Sequence, residues 1–147
     1  MLEKAIAIAV EAHRGQIDKA GKPYILHPMR VMLAGTNEDE MICGILHDVI
    51  EDTPVSIEML AAEGFSDTVL DALRFLTHDR SVPYQDYIHA ITQNPLAIRV
   101  KLYDLHDNLN RERLGILTLE DERRMQKYKK SQEYLLRFLE DTTINKP

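Results

Sequence analysis

An all-α fold, a single-domain bundle of about seven to eight helices, is predicted by three features of this 147-residue sequence. Apolar residues recur at three- and four-residue spacing along almost the whole chain, which is typical of helices with one buried face. No alternation of apolar and polar residues is long enough to predict a strand. Prolines and small polar residues stand where helices would begin. We therefore expect one domain over residues 1–147, with its motifs within about 5–114 and a C-terminal helix at about 118–141.

The first half of the chain predicts three helices around one polar loop. The segment "LEKAIAIAVEAH" opens the chain as a helix, and the loop that starts with "RGQIDKAGK" follows it. Pro28 stands in the first turn of the next helix, "PMRVMLAG", where its missing N–H leaves no hydrogen bond unmade. A central helix over about residues 38–51 begins with three acidic residues, as the helix dipole favours. Its segment "MICGILHDVI" is apolar on nearly all sides, which indicates burial.

The second half predicts five more helices. Pro54 and Ser56 separate the central helix from a short one, "SIEMLAAEG", and Ser66 or a neighbouring residue is expected to cap "DTVLDALRFLT". The helix "YQDYIHAITQN" follows, and Pro95 opens "PLAIRVKLYDLHDNL". The pattern of the tail, "TLEDERRMQKYKKSQEYLLRFLED", predicts a long amphipathic helix. Its end, "LLRFL", either closes the core, the favoured interpretation, or forms a homodimer contact.

Composition narrows the classes of partner. The formal net charge is −6, without a basic tract, so neither nucleic acid nor an anionic membrane is expected to bind. The single cysteine, Cys43, excludes an intramolecular disulfide and is interpreted as a buried apolar residue. No apolar run approaches the ~18 residues of a membrane span, and the N-terminus lacks a signal-peptide pattern. We expect a cytoplasmic protein.

The dipeptide His-Asp occurs three times, at His47-Asp48, His78-Asp79 and His106-Asp107. The second pair lies in a loop without apolar neighbours and is interpreted as surface. His106 points about 200° away from Asp104 on the same helix, so the third pair is interpreted as a solvated face. The first pair alone is embedded in an apolar helix.

Four ionisable residues around the first pair share one side of that helix. If the helix is continuous, His47, Asp48, Glu51 and Asp52 fall within roughly 140° of one another. Burying them would cost free energy unless something compensates their charge or polarity. A divalent cation is one such compensator, because it binds carboxylates and neutral imidazole. A helix face open to water is the other explanation, and this helix alone leaves both open.

Two further segments favour the metal interpretation. In "KPYILHP", His27 precedes Pro28 at a helix start, where packing fixes the backbone. In "IRVKLYDLHDNL", Asp104 is flanked by apolar residues, where an unpaired carboxylate is unfavourable. Asn108 lies four residues later and therefore on the same helix face.

The motifs "AHRGQIDKAGKPYILHP", "LHDVIEDT" and "VKLYDLHDNL" together resemble the HD-domain metal-dependent phosphohydrolases. The resemblance is greatest to the hydrolase domain of RelA/SpoT alarmone enzymes and to single-domain small alarmone hydrolases, and it extends from about Ala5 to Leu114. It implies a bound divalent metal, usually Mn²⁺, with Fe²⁺, Co²⁺ or Zn²⁺ as alternatives for such a mixed ligand set. The implied roles are metal binding by His27, His47, Asp48 and Asp104, water activation by Glu51 and Asp52, and nucleotide contact by Asn108, with Lys19 and Arg111 helping to hold phosphates.

The activity implied by the resemblance is hydrolysis of a nucleotide phosphoester, with guanosine 3′,5′-bis(diphosphate) as the first candidate substrate. Two residues depart from the alarmone-hydrolase pattern. Asp18 stands where those enzymes have an Arg that stacks on guanine, and His78 stands where a Lys is common. A phosphohydrolase acting on another nucleotide or phosphoester therefore remains an alternative, as does a non-catalytic domain that binds nucleotide or protein. Because the sequence ends at residue 147, no synthetase domain and no synthetase activity are expected.

Overall fold

The computed structural model describes residues 1–110 and 117–144, with side chains described as far as residue 139. The described residues form nine α-helices: α1 (Leu2–Ala12), α2 (Leu26–Ala34), α3 (Glu38–Leu46), α4 (Val49–Asp52), α5 (Ile57–Ala62), α6 (Asp67–Leu76), α7 (Tyr84–Ile91), α8 (Pro95–Asn108) and α9 (Leu119–Ile144). The predicted all-α class is confirmed. Within the described ranges, strand-like pairing is confined to one isolated bridge between Ile17 and Pro23.

Helix starts coincide with the local capping signals. The side chain of Ser66 accepts a hydrogen bond from the amide of Val69 at the start of α6, as predicted. Asn94 does the same for Ala97, and Pro95 occupies the first turn of α8. These side chains satisfy amides that have no partner inside the helix, which fixes where each helix begins.

The central helix is α3, which packs against α1, α2, α6 and α8. Its side chains Ile42, Cys43, Ile45 and Leu46 are all buried. Burial raises the pKa of the Cys43 thiol to about 12, so this cysteine is held as an apolar core residue, as its sequence context indicated.

Gly44 allows α2 and α3 to approach closely. A Cβ atom at this position would lie 2.9 Å from Cα of Met32 and 3.1 Å from the carbonyl carbon of Val31. Any side chain here would therefore push the two backbones apart. The close contact brings the first turn of α2 next to the end of α3.

The predicted continuous helix over residues 38–51 is wrong in one respect, because it breaks after Leu46. His47 and Asp48 form a turn before the four-residue helix α4. His47 Nδ1 lies 2.7 Å from the carbonyl oxygen of Gly44, the acceptor that a continuous helix would offer to the amide of residue 48. This side-chain competition is the local reason for the break.

The C-terminal helix closes the core. Leu135 is fully buried, and Phe138 and Leu139 pack against the core cluster, whereas Leu136 is exposed. The core interpretation of "LLRFL" is therefore the one the packing supports. No helix in the described part of the chain combines the length and apolar character needed to cross a membrane.

Candidate metal centre

Three separate segments bring two imidazoles and two carboxylates together. His27 comes from the first turn of α2, Asp104 from α8, and His47 and Asp48 from the turn between α3 and α4. His27 Nε2 lies 2.9 Å from Asp104 Oδ1 and 3.8 Å from Asp48 Oδ2. His47 Nε2 lies 3.0 Å from Asp48 Oδ2 and 3.3 Å from Asp104 Oδ1. All four predicted ligands thus meet at one point, although their role as ligands stays a prediction.

The ring of His47 is held in one tautomer. A carbonyl oxygen only accepts hydrogen bonds, so Nδ1 donates to Gly44, and Nε2 carries the lone pair whenever the ring is neutral. In the described residues, Nε2 of His47 and Nε2 of His13 are the buried side-chain atoms without a hydrogen-bond partner. Leaving a buried polar atom unpaired is costly, and a cation bound by the lone pair would remove that cost. The cluster is thus suited to hold a divalent metal ion.

Electrostatics at the cluster favour added positive charge. Burial alone would lower the pKa of His47, but the neighbouring charges of Asp48 and Asp104 raise it well above its usual value. Burial also acts to lower the pKa of His27, and hydrogen bonds to Asp104 and Asp107 raise it. A proton and a divalent cation therefore compete for the same nitrogen atoms.

Asp104 is surrounded by donors from its own helix. Its Oδ2 lies 2.8 Å from Nζ of Lys101, and its Oδ1 accepts a hydrogen bond of 3.0 Å from Nδ2 of Asn108. Burial acts to raise the pKa of Asp104, but Lys101 and His47 lower it well below its usual value. Lys101 was missed by the sequence analysis, although its position three residues before Asp104 places both on one face of α8.

Tyr24 was also missed. Its hydroxyl donates to Asp48 Oδ2, and burial followed by the charge of Asp48 raises the pKa of Tyr24 strongly. The ring lies 5.1 Å from the ring of buried His13, centroid to centroid. The sequence did contain a signal for this contact, because Tyr24 stands only three residues before the predicted ligand His27 in "KPYILHP".

Glu51 and Asp52 lie on α4 beside the cluster, and both are exposed. One carboxylate oxygen from each lies within 4.8 Å of the other and of one from Asp48. Glu51 accepts a hydrogen bond of 2.8 Å from the amide of His78. Partial burial, assisted by the charge of Asp48, raises the pKa of both carboxyl groups, which suits groups that take up a proton. Their catalytic role stays a prediction.

The interpretation of the third His-Asp pair is right for the histidine and wrong for the aspartate. His106 is exposed, as expected. Asp107 is buried, and its Oδ2 lies 2.6 Å from Nδ1 of His27. The physical reason is that residue 107 lies three positions after Asp104 and so shares its face of α8, whereas residue 106 does not.

His78 is not a simple surface residue either. Its ring stacks on Tyr87, with 4.5 Å between centroids, and lies near Tyr84. These aromatic side chains, together with Lys101 and Lys127, line the cavity that opens over the His/Asp cluster. Asp79 is exposed, in agreement with the expectation.

Two neighbouring cavities lie on this side of the molecule. One, of about 350 Å³, is lined by His27, Asp48 and Asp104, and the other, of about 270 Å³, lies towards α9. Tyr24, Asn108 and Tyr128 line both cavities. Lys19 lines the second, where its Nζ lies 2.9 Å from Asp121 Oδ1. Arg111, the remaining predicted phosphate contact, lies outside the described residues.

Comparison with known proteins identifies relatives of this chain. It is 35% identical over 135 residues to guanosine-3′,5′-bis(diphosphate) 3′-pyrophosphohydrolase of Haemophilus influenzae, covering 82% of this chain and 20% of that protein. It is 32% identical over 121 residues to the GTP pyrophosphokinase of Streptomyces coelicolor, covering 74% of this chain and 14% of that protein. This chain is a homologue of the RelA/SpoT enzymes. The resemblance inferred from the motifs is thereby confirmed.

A solved structure extends the likeness to the fold. A metazoan ortholog of SpoT, described as hydrolysing ppGpp and acting in starvation responses, matches with a TM-score of 0.75 and 26% identity over 92% of this chain and 85% of that one. No family model matches the sequence of this RelA/SpoT homologue. The chain spans 14 to 20% of the length of the curated relatives cited above, so their complete activities do not transfer to it directly.

Proposed function

We propose that this RelA/SpoT homologue is a metal-dependent pyrophosphohydrolase that removes the 3′-diphosphate from guanosine 3′,5′-bis(diphosphate). The observation that carries the proposal is the convergence of His27, His47, Asp48 and Asp104, with the lone pair of His47 Nε2 buried and without a hydrogen-bond partner. Relatives named for this reaction, and a structurally similar metazoan protein that hydrolyses ppGpp, support the choice of substrate.

The four ligands would hold a divalent cation, with Mn²⁺ as the first candidate. Two imidazole nitrogens and two carboxylates make a mixed set that also suits Fe²⁺, Co²⁺ or Zn²⁺. When bound, the ion supplies Lewis-acid polarisation of a phosphoryl oxygen and positive charge to an otherwise acidic protein.

Glu51 and Asp52 would orient the attacking water and accept its proton. Both carboxylates line the same cavity as His27, Asp48 and Asp104. Burial, assisted by the charge of Asp48, raises the pKa of both carboxyl groups, which makes them better proton acceptors than ordinary carboxylates. The amide of His78 fixes Glu51 through a hydrogen bond of 2.8 Å, so this base is already oriented.

Substrate would be held where the two cavities join. Asn108 lines both cavities and can contact the nucleotide beside the ligand Asp104. Lys19 lines one cavity, and Lys101 and Lys127 line the other, which places positive charge around a polyanionic substrate. Lys127 lies over the ring of Tyr84, 4.2 Å from its centroid, and this contact orients its ammonium group.

Product analysis tests the proposal. Purified protein is incubated with Mn²⁺ and guanosine 3′,5′-bis(diphosphate), and we expect GDP and pyrophosphate in equal amounts. Asp104→Ala should lower kcat/KM by more than about 100-fold, because losing a direct ligand costs more than losing a group that merely supports one. Asp71→Ala, which removes an exposed carboxylate on α6, is the control and should retain full activity. Absence of turnover by wild-type protein that carries its metal would refute the alarmone substrate.

A second candidate, hydrolysis of a different nucleotide phosphoester, is favoured by Asp18. This residue lines the cavity next to the cluster, where alarmone hydrolases carry a guanine-stacking Arg. Its Oδ1 accepts hydrogen bonds from the amides of Ala20 and Lys22, so the carboxylate stabilises the loop. Metal-loaded protein that fails on the alarmone should then be assayed against other phosphorylated nucleotides. Mn²⁺ binding without turnover of any of them would favour the non-catalytic alternative.

We also infer a cytoplasmic location. The single cysteine of the sequence, Cys43, is fully buried, and a chain that can form no internal disulfide suits a reducing compartment. Recovery of the tagged chain in the membrane fraction after cell lysis would contradict this inference.

A further inference from the structure

Asp107 and Arg30 form a contact network behind the candidate metal ligand His27. Asp107 Oδ2 lies 2.6 Å from His27 Nδ1. On its other side, Asp107 Oδ1 accepts from Arg30 Nε at 2.7 Å, and Oδ2 accepts from Arg30 Nη2 at 3.2 Å. The network joins α2, which carries His27 and Arg30, to α8, which carries Asp107.

The contact decides which nitrogen of His27 faces the cluster with its lone pair. An ionised carboxylate only accepts hydrogen bonds, so Nδ1 of His27 must donate to Asp107. When the imidazole is neutral, Nε2 is then unprotonated, and it points to Asp104 Oδ1 at 2.9 Å. Two groups that both carry lone pairs do not attract each other at this distance, so the geometry requires a positive charge on the ring or between the two groups.

Arg30 fixes the orientation of Asp107. The planar guanidinium contacts both carboxylate oxygens, which restrains the plane of the carboxylate and therefore the ring that donates to it. The Asp107 side chain is 10% exposed and the Arg30 side chain 42% exposed. The pair thus extends from the buried ring to the protein surface.

We propose that Asp107 and Arg30 are positioning residues that hold His27 in the Nδ1–H tautomer and increase its strength as a metal ligand. Asp107 acts through His27, and Arg30 acts through Asp107. The inference rests on the proposed function only in assuming that His27 binds a metal ion. The inference gives Asp107 a role that the sequence around the His106-Asp107 pair did not indicate.

Metal affinity is the appropriate measurement, because it does not require turnover. Chelator-treated wild type, Asp107→Asn, Arg30→Met and the double variant are titrated with Mn²⁺ by isothermal calorimetry. We expect Asp107→Asn to raise Kd by about 10- to 100-fold, the usual effect of losing a group that supports a metal ligand. Arg30→Met should raise Kd less, and the double variant should match Asp107→Asn, since Arg30 acts through Asp107.

An Asp–Arg ion pair elsewhere in the chain provides the control. Asp71 and Arg74 on α6 lie 2.6 Å apart, are exposed and lie outside the two cavities described above. Asp71→Asn should leave Kd for Mn²⁺ unchanged. Thermal unfolding without metal shows whether each variant folds. If Asp107→Asn does not fold, the Kd of Arg30→Met for Mn²⁺ is the deciding measurement, and an unchanged value would contradict the inference.

The outcomes separate this inference from the proposed function. An unchanged Kd in Asp107→Asn, or losses from the two substitutions that add in full, would overturn the positioning role while leaving the metal centre intact. If wild-type protein binds no Mn²⁺, the metal-dependent function itself fails, and this inference fails with it. A raised Kd in Asp107→Asn without a further rise in the double variant supports the inference.

Discussion

Glu40 and Asp104 are both buried carboxylates, with relative exposures of 2% and 4%, yet their surroundings differ in kind. Glu40 is satisfied by neutral donors alone. It accepts hydrogen bonds from the hydroxyl of Tyr103 at 2.5 Å, from the side-chain amide of Asn37 at 2.8 Å and from the backbone and side chain of Thr36. This region joins the start of α3 to α8 and is complete without any ligand.

The region around Asp104, by contrast, leaves a buried polar atom without a hydrogen-bond partner. A second carboxylate, Asp48, shares the same two imidazole nitrogens, and Nε2 of His47 has no hydrogen-bond partner. Both histidines have raised pKa values, which means that the region stabilises added positive charge. The difference teaches that burial of a carboxylate does not by itself mark a functional site. The buried nitrogen atom without a hydrogen-bond partner is the observation that supports a metal site at Asp104 and not at Glu40.

The largest expected effect is on the thermal stabilisation by Mn²⁺, which should depend on Asp104 and not on Glu40. A metal ion that binds only the folded state stabilises it by about 2.7 kcal/mol at 100 times its Kd. Wild type and Glu40→Gln should therefore both show an increase in Tm with Mn²⁺ at 100 times its Kd, on the order of 5–11 °C for a domain of this size. Asp104→Ala should show none. The measurement is thermal unfolding by circular dichroism with and without Mn²⁺, and loss of the increase in Glu40→Gln would abolish the distinction between the two regions.

An intermediate effect concerns the stability and acid sensitivity contributed by Glu40. Burial acts to raise the pKa of Glu40, but hydrogen bonds from Tyr103 and Thr36 lower it below the ordinary value of 4.5. The stabilisation is therefore fully present above pH 4.5 and is lost as the pH falls through the lowered pKa. Glu40→Gln should cost about 1–3 kcal/mol at pH 7, since the amide cannot satisfy all the donors.

Urea unfolding from pH 7 down to pH 3 measures this contribution. The difference in free energy of unfolding between wild type and Glu40→Gln should shrink as the pH falls below about 4.5. Asp39→Asn, which removes an exposed carboxylate from the adjacent position on α3, is the control and should follow the wild-type curve within about 0.5 kcal/mol. A constant difference across this pH range would show that ionised Glu40 is not the source of the stability.

The smallest expected effect is at His106. It stands two residues after Asp104 and one before Asp107, but its side chain is exposed. His106→Ala should change the free energy of unfolding by less than about 0.5 kcal/mol and leave the Kd for Mn²⁺ unchanged. Calorimetric titration and urea unfolding of one preparation test both statements. A weakened Kd would mean that the polar region around Asp104 extends to the outer face of α8.

Local patterns predict the helices of this chain well. Apolar spacing, the cap at Ser66 and the proline at residue 95 act within one or two helical turns, so the sequence alone reveals them. The same reasoning placed Asp104 and Asn108 on one face of α8, and the hydrogen bond between them agrees. The break after Leu46 escaped it, because periodicity does not register a side chain that competes for a backbone acceptor.

The sequence by itself determined most of the helices and supplied the residues that we propose as metal ligands. Tertiary structure decided how those residues meet. The contacts of His27 with Asp104 and Asp107 span 77 and 80 residues, and they depend on how closely α2, α3 and α8 pack. Helical periodicity fixes the direction of a side chain relative to its own helix, whereas the partner across the core depends on interhelical distance. That is why His27 was recognised from the sequence and its contacts with Asp107 and Arg30 were not.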